Sequence, residues 1–160
     1  MSHPAFTTWH PADEPLELVE KRLHGGVADP NARAGGHIIR MARRFPWSVP
    51  RPGAHILEIG SGVGHIMEAA AEKFQPARIV GLDISEKMME MARQRLRRDG
   101  VDDARFEFVH YDGITVPLPG RTFDYIYSVA CIQHIPKAGP LGPLVHDAIL
   151  AIFQELARPS

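Results

Sequence analysis

The chain has a single cysteine, Cys131, which excludes an internal disulfide and suits a reducing compartment. It has no apolar run near the roughly 20 residues that a membrane-spanning helix needs. Met1 to His10 lacks the basic-then-apolar layout of a signal peptide. Net charge is almost absent, formally −1 at pH 7, so nothing electrostatic points to nucleic acid or an anionic membrane as partner. The histidines show no H-x-x-H or H-E-x-x-H spacing and the cysteine has no C-x-x-C mate, so no metal site is expected. The expectation is a soluble, cytoplasmic protein of one domain, since 160 residues can bury a proper core.

What is present is patterned. Residues 1–14 are polar, broken by Pro4 and Pro11, and read as an arm. Leu16, Val19 and Leu23 predict a short helix that stops at Gly25-Gly26. Ile38, Met41, Ala42 and Phe45 predict a second, limited by Pro46. These elements have too few apolar positions for a core of their own. Residues 1–50 are therefore expected to be an N-terminal arm and helices forming a cap or lid on a main domain at 51–160. Trp9 and His10 are candidates for that lid, although a disordered arm is the plainer reading.

From His55 strands and helices alternate. His55–Ile59 is a short apolar run ending in glycine, as a buried parallel strand does. Val63, Ile66, Met67, Ala70 and Phe74 share one helical face, and Pro76 ends it. Arg78–Leu82 is the next strand. Ser85 caps a helix whose inward stripe is Met88, Met91, Ala92 and Leu96, and Gly100 stops it. Arg105–His110 and Phe123–Ser128 are strands three and four, and a final helix runs from Leu144 to Leu156. The pattern predicts an α/β fold of Rossmann-like, doubly wound, three-layer type. Right-handed crossovers give the parallel order 3-2-1-4, with a ligand crevice where the order reverses.

The loop Gly60-Ser-Gly62-Val-Gly64 turns sharply and lets a ligand approach the backbone closely. Asp83, ending strand two, suits the two hydroxyls of a ribose. The glycines follow G-x-G-x-G rather than the G-x-G-x-x-G of dinucleotide sites, which disfavours an NAD-dependent oxidoreductase. Glu58 before the loop is unwelcome beside a pyrophosphate and useful beside a cation. A nucleoside joined to a cationic amino-acid group meets both demands, and S-adenosylmethionine is such a ligand.

The segment His55–Gly64 resembles motif I of the class I S-adenosylmethionine-dependent methyltransferases, small-molecule type. Val80-Gly-Leu-Asp83-Ile-Ser85 is similar to the family's ribose-binding strand end, with Ile84 where a residue packs on adenine. Tyr111-Asp112-Gly113 resembles the acidic station after strand three. Phe123–Pro136 resembles the strand-four motif and the loop beyond. The resemblance covers about residues 52–136. It implies cofactor contacts from Glu58, Gly60, Ser61, Gly62 and Gly64 at the loop. Asp83, Ile84 and Met88 would follow strand two, Asp112 and Gly113 strand three, and Ser128 and Val129 strand four.

The resemblance also implies strands five to seven, which do not follow Glu155–Ser160. A fragment of a longer protein is expected, or else a homodimer that covers the exposed strand-four edge. The function expected is methyl transfer to a small-molecule acceptor, leaving S-adenosylhomocysteine; the alternative is a catalytically incomplete cofactor-binding fragment or scaffold. Such a displacement needs alignment and exclusion of water more than acid–base help. His134 is the best-placed base, though a loop histidine that merely shapes the pocket is the more ordinary reading. Tyr111 and Tyr127 read first as core residues, Cys131 as an inert thiol, and Arg93, Arg95, Arg97 and Arg98 as a solvated helix face rather than an RNA-binding patch.

Overall fold

A computed structural model describes residues 15–23, 30–46, 49–101, 104–113, 116–129 and 131. Two helices come first, α1 (Leu16–Leu23) and α2 (Pro30–Arg44). The second begins earlier than the apolar spacing suggests, running through Gly35 and Gly36, and stops two residues before Pro46. Then come β1 (His55–Ile59), α3 (His65–Phe74), β2 (Arg78–Asp83), α4 (Glu86–Arg98), β3 (Phe106–His110) and β4 (Tyr125–Tyr127). The strands form one parallel sheet of order β3-β2-β1-β4. The expected order is thus observed, and its reversal falls between β1 and β4.

Alternation along the strands sorts the core into two faces. Ile56, Ile79 and Tyr127 point to the side of α3, where they meet Met67, Ala70 and Phe74. Ile38 of α2 joins the same cluster, fully buried. Leu57, Ile59, Val80 and Leu82 point the other way and close on Tyr111 and Leu118, flanked by Val116, Phe123 and Ile126. The final helix expected from Leu144 lies outside the described residues, as do Trp9, His10 and His134.

Two local devices set the spacing of the layers. Ser85 caps α4, its Oγ accepting from the Met88 amide at 3.3 Å, an arrangement worth about 1 kcal/mol. Gly81 lets α3 approach β2: a Cβ there would stand 2.5 Å from Met67 Sδ and 2.7 Å from Ser61. A valine at this position, ordinary in a buried strand, would push α3 off the sheet. The α1 helix is held by Val19, which packs with Val63, Met88 and Met91.

Candidate functional site

The site grows from the end of β1. Gly60, Gly62 and Gly64 all have positive φ (78°, 52° and 81°), a region costly for residues with a Cβ. The Gly60 and Ser61 amides donate to the Leu82 carbonyl, at 2.7 and 3.0 Å, and Gly64 N–H closes the turn on Ser61 O at 2.9 Å. The loop then runs into α3.

Asp83 ties this loop to the next helix. One carboxylate oxygen, Oδ2, accepts the Gly62 amide at 2.7 Å, and Oδ1 accepts the Ser85 amide at 2.9 Å. These two bonds orient the carboxylate, which has about four lone-pair sites. Beside it, Tyr111 N–H donates to the Asp83 carbonyl at 3.1 Å, and His110 Nε2 lies 3.1 Å from Ile84 O. Asp112 is half-buried, and Gly113 turns with φ 90°. Ser128, after β4, donates its hydroxyl to Ile59 O at 2.9 Å.

The fold therefore gathers Gly60–Gly64, Asp83–Ser85, Tyr111–Gly113 and Ser128, Val129 and Cys131 at one end of the sheet, over the reversal point. Not every candidate faces the same way. Glu58 is buried, 1% exposed, and takes a hydrogen bond from the Tyr127 hydroxyl at 3.1 Å. Burial pushes its carboxyl well above the usual range, and the Asp83 charge adds to that, while the Tyr127 bond opposes it. Ser61 turns its side chain onto Gly81, and its Oγ has no hydrogen-bond partner among the described residues. Met88 is buried against Val63, its methyl 3.5 Å from where a Gly62 Cβ would lie. Val129 packs against the Ile56–Met67 core.

Three residues that read in the sequence as an inert thiol, a core tyrosine and a solvated arginine lie in or beside this cluster. Cys131 presses on Gly60, where any Cβ would collide with its side chain. Burial, with Asp83 second, pushes its thiol up to about 11, which fits the expected inertness. Tyr111 is likewise raised, by burial first and then by Cys131, Asp83 and Asp112. Arg95 departs from the expected solvated face: it is fully buried. It continues the Met88, Met91, Ala92 stripe at i+7, so helical period turns it inward. Arg93, Arg97 and Arg98 are exposed.

A groove of about 400 Å³ between α2 and α3, lined by Ile38, Ile39, Glu68 and Glu72, shares no residue with this cluster. Glycines, a fixed carboxylate and the topological reversal coincide instead at the strand ends, where open α/β sheets bind ligands. Those residues fit the expected ligand: the glycine turn admits close backbone approach, and Asp83 can accept from hydroxyls.

A model of the methyltransferase domain family matches residues 56–142. The chain belongs to this methyltransferase domain family. Its motif-level resemblance is thereby borne out. Over 120 residues the domain is 32% identical to the 27-O-demethylrifamycin SV methyltransferase of Amycolatopsis mediterranei, covering 73% of this chain and 43% of that one. Over 111 residues it is 34% identical to the trans-aconitate 2-methyltransferase of Variovorax paradoxus, covering 69% and 40%. A solved structure, the Haemonchus contortus phosphoethanolamine N-methyltransferase 2 with phosphomonomethylethanolamine and S-adenosylhomocysteine, superposes with a TM-score of 0.57 at 27% identity, covering 71% and 25%. The domain thus spans less than half the length of the curated relatives it matches.

Proposed function

We propose that the domain binds S-adenosylmethionine at the β1–β4 end of the sheet and serves methyl transfer to a small-molecule acceptor, yielding S-adenosylhomocysteine. The observation that carries this reading is the junction of Gly62 and Asp83, where one carboxylate both holds the glycine loop and stands ready for hydroxyls. When bound, S-adenosylmethionine supplies a methyl group already activated on a sulfonium. The chain's own residues need to hold and align it.

In this reading the glycine loop takes the amino-acid end and Asp83 the ribose, with Ile84 and Met88 as apolar neighbours. Asp112 and Gly113 border the base, and Ser128 and Val129 fix the β4 side. Glu58 answers a positive charge: an ammonium nearby favours its ionised form and draws its raised pKa down. His134, outside the described residues, is the base in this reading where the acceptor must lose a proton.

Support for a small-molecule acceptor comes from the relatives, named for a rifamycin and for trans-aconitate. These compounds differ so widely that they do not define the acceptor. Helix α1 belongs to the N-terminal cap, supported by the packing of Val19 on Val63 beside the loop. No described helix is long and apolar enough to cross a membrane; a cytoplasmic setting is part of the proposal, supported by the single cysteine of the sequence. A homodimer through the β4 edge is proposed as well, supported by Tyr125 and Ile126 standing half-buried there.

Two titrations test the reading. Calorimetry with S-adenosylhomocysteine should show binding, and a panel of small hydroxyl and amine acceptors should then show transfer. Binding without transfer to any acceptor leaves a cofactor-binding module, and no binding removes the proposal. Light scattering tests the dimer, which a monodisperse monomer would sink.

A further inference from the structure

Arg95 joins three parts of the molecule. Its Nε donates to the Val63 carbonyl at 2.9 Å, between Gly62 and Gly64. Its Nη1 bonds Glu68 on α3, and also Asp99 at the end of α4, the latter at 3.3 Å. The side chain is 0% exposed, so it acts on a ligand through the loop.

Stability alone is a poor reason for this residue. Burying a guanidinium costs desolvation, and apolar side chains of similar volume often replace buried ion pairs without loss. Its Nη2 is buried with no partner among the described residues, which adds to the cost. What an apolar residue cannot do is hold a carbonyl. The loop carries three glycines and so has more backbone freedom than its neighbours. Asp83 restrains one side of it by accepting the Gly62 amide. Arg95 restrains the other side, one residue on, by donating to the Val63 carbonyl. Opposite charges thus grip adjacent residues of the same turn, on either side of the Gly62–Val63 peptide.

We propose that Arg95 is a positioning residue for the cofactor: by fixing the Val63 carbonyl it sets the glycine loop in the form that receives S-adenosylmethionine. The proposal rests on the reading of the site given above. Arg95→Lys keeps a buried cation for Glu68 and Asp99 but removes the Nε–H to Val63. Asp99→Asn removes an anionic partner and leaves that bond in place. Titration of the full-length chain with S-adenosylhomocysteine, with amide spectra of the ligand-free proteins, separates the two.

Arg95→Lys should weaken binding about tenfold or more, the worth of one charged hydrogen bond, and shift the Gly62, Val63 and Gly64 amides. Asp99→Asn should bind within about twofold of wild type, whatever its melting point. Equal weakening in both variants, or unmoved loop amides in Arg95→Lys, overturns the proposal. A wild-type chain that fails to bind S-adenosylhomocysteine removes the functional reading instead; unmoved loop amides then overturn the pin by themselves.

Discussion

Tyr127 and Glu58 sit side by side in register on β4 and β1, and the tyrosine hydroxyl donates to the carboxyl at 3.1 Å. Both are buried on the α3 face, 5% and 1% exposed. An acid placed there is held neutral by desolvation and leans on one hydroxyl for its hydrogen bond. Tyr127→Phe should therefore destabilise the fold by about 1–3 kcal/mol, the cost of an unsatisfied buried group, and chemical denaturation measures it. An unchanged midpoint would show that the bond contributes nothing.

Glu58 also sets a pH dependence. Its folded pKa is raised above the ordinary carboxylate value of 4.5, so the neutral side chain's stability is fully present below that value. It is lost as pH climbs from there through the raised folded value. Glu58→Gln, neutral throughout, should gain thermal stability over wild type between pH 5 and 8, with the gap widening upward. The same variant should bind S-adenosylhomocysteine more weakly, having no charge to offer an ammonium. A constant gap across the range would contradict the buried-acid account.

On the acid side the sign reverses. Glu107 is held below its usual value by Arg121, with lesser help from Arg78, and Asp99 by Arg98 and then Arg95. Their contributions are present above the ordinary values of 4.5 and 3.8 and vanish as pH falls through the lowered folded values. The Glu107 pairs and Asp99–Arg98 are partly exposed, so each is worth at most about 1 kcal/mol. Glu107→Gln should cost that little at pH 7 and nothing near pH 3 in thermal melts; an equal cost at both would contradict it.

Cys131 should be a slow nucleophile. A thiol pushed from an ordinary 9.0 up to about 11 holds roughly a hundredfold less thiolate at neutral pH. Labelling with iodoacetamide at pH 7.5 should be slower than for a free thiol by at least that factor, and should quicken on denaturation. Rapid labelling of the native chain would place Cys131 elsewhere than against Gly60.

Much of this fold was legible because its signals are local. His55–Ile59 was bounded by a buried apolar run and a glycine, and the strand spans those residues. Ser85 announced its cap by type and place, and the cap bond is present. The glycine spacing and Asp83 fell where alternating strands and helices bring them together. Tertiary contacts were less legible. Arg95 was read by its neighbours Arg93 and Arg97 as solvated, although its position on the Met88–Met91 stripe carried the opposite signal. Gly81 looked like any strand residue until α3 was seen lying on it. The pairing of Tyr127 with Glu58 depends on a register spanning 69 residues of chain, which no local pattern encodes.

The site itself can be broken from either side of the Gly62–Asp83 bond. Asp83→Ala removes the carboxylate that holds Gly62 and that the proposed function assigns to the ribose. Gly62→Val forces a β-branched residue to φ 52°, with the Met88 methyl 3.5 Å from its Cβ. Each should abolish S-adenosylhomocysteine binding in calorimetry, and intact affinity in both would refute the placement of the site.

The central claim is that Gly60–Gly64 and Asp83 serve S-adenosylmethionine rather than a dinucleotide. Parallel titration of the wild-type chain with S-adenosylhomocysteine and with NAD tests it most directly. Saturable binding of S-adenosylhomocysteine with no heat from NAD is the predicted result; binding of NAD, or of neither, would contradict it.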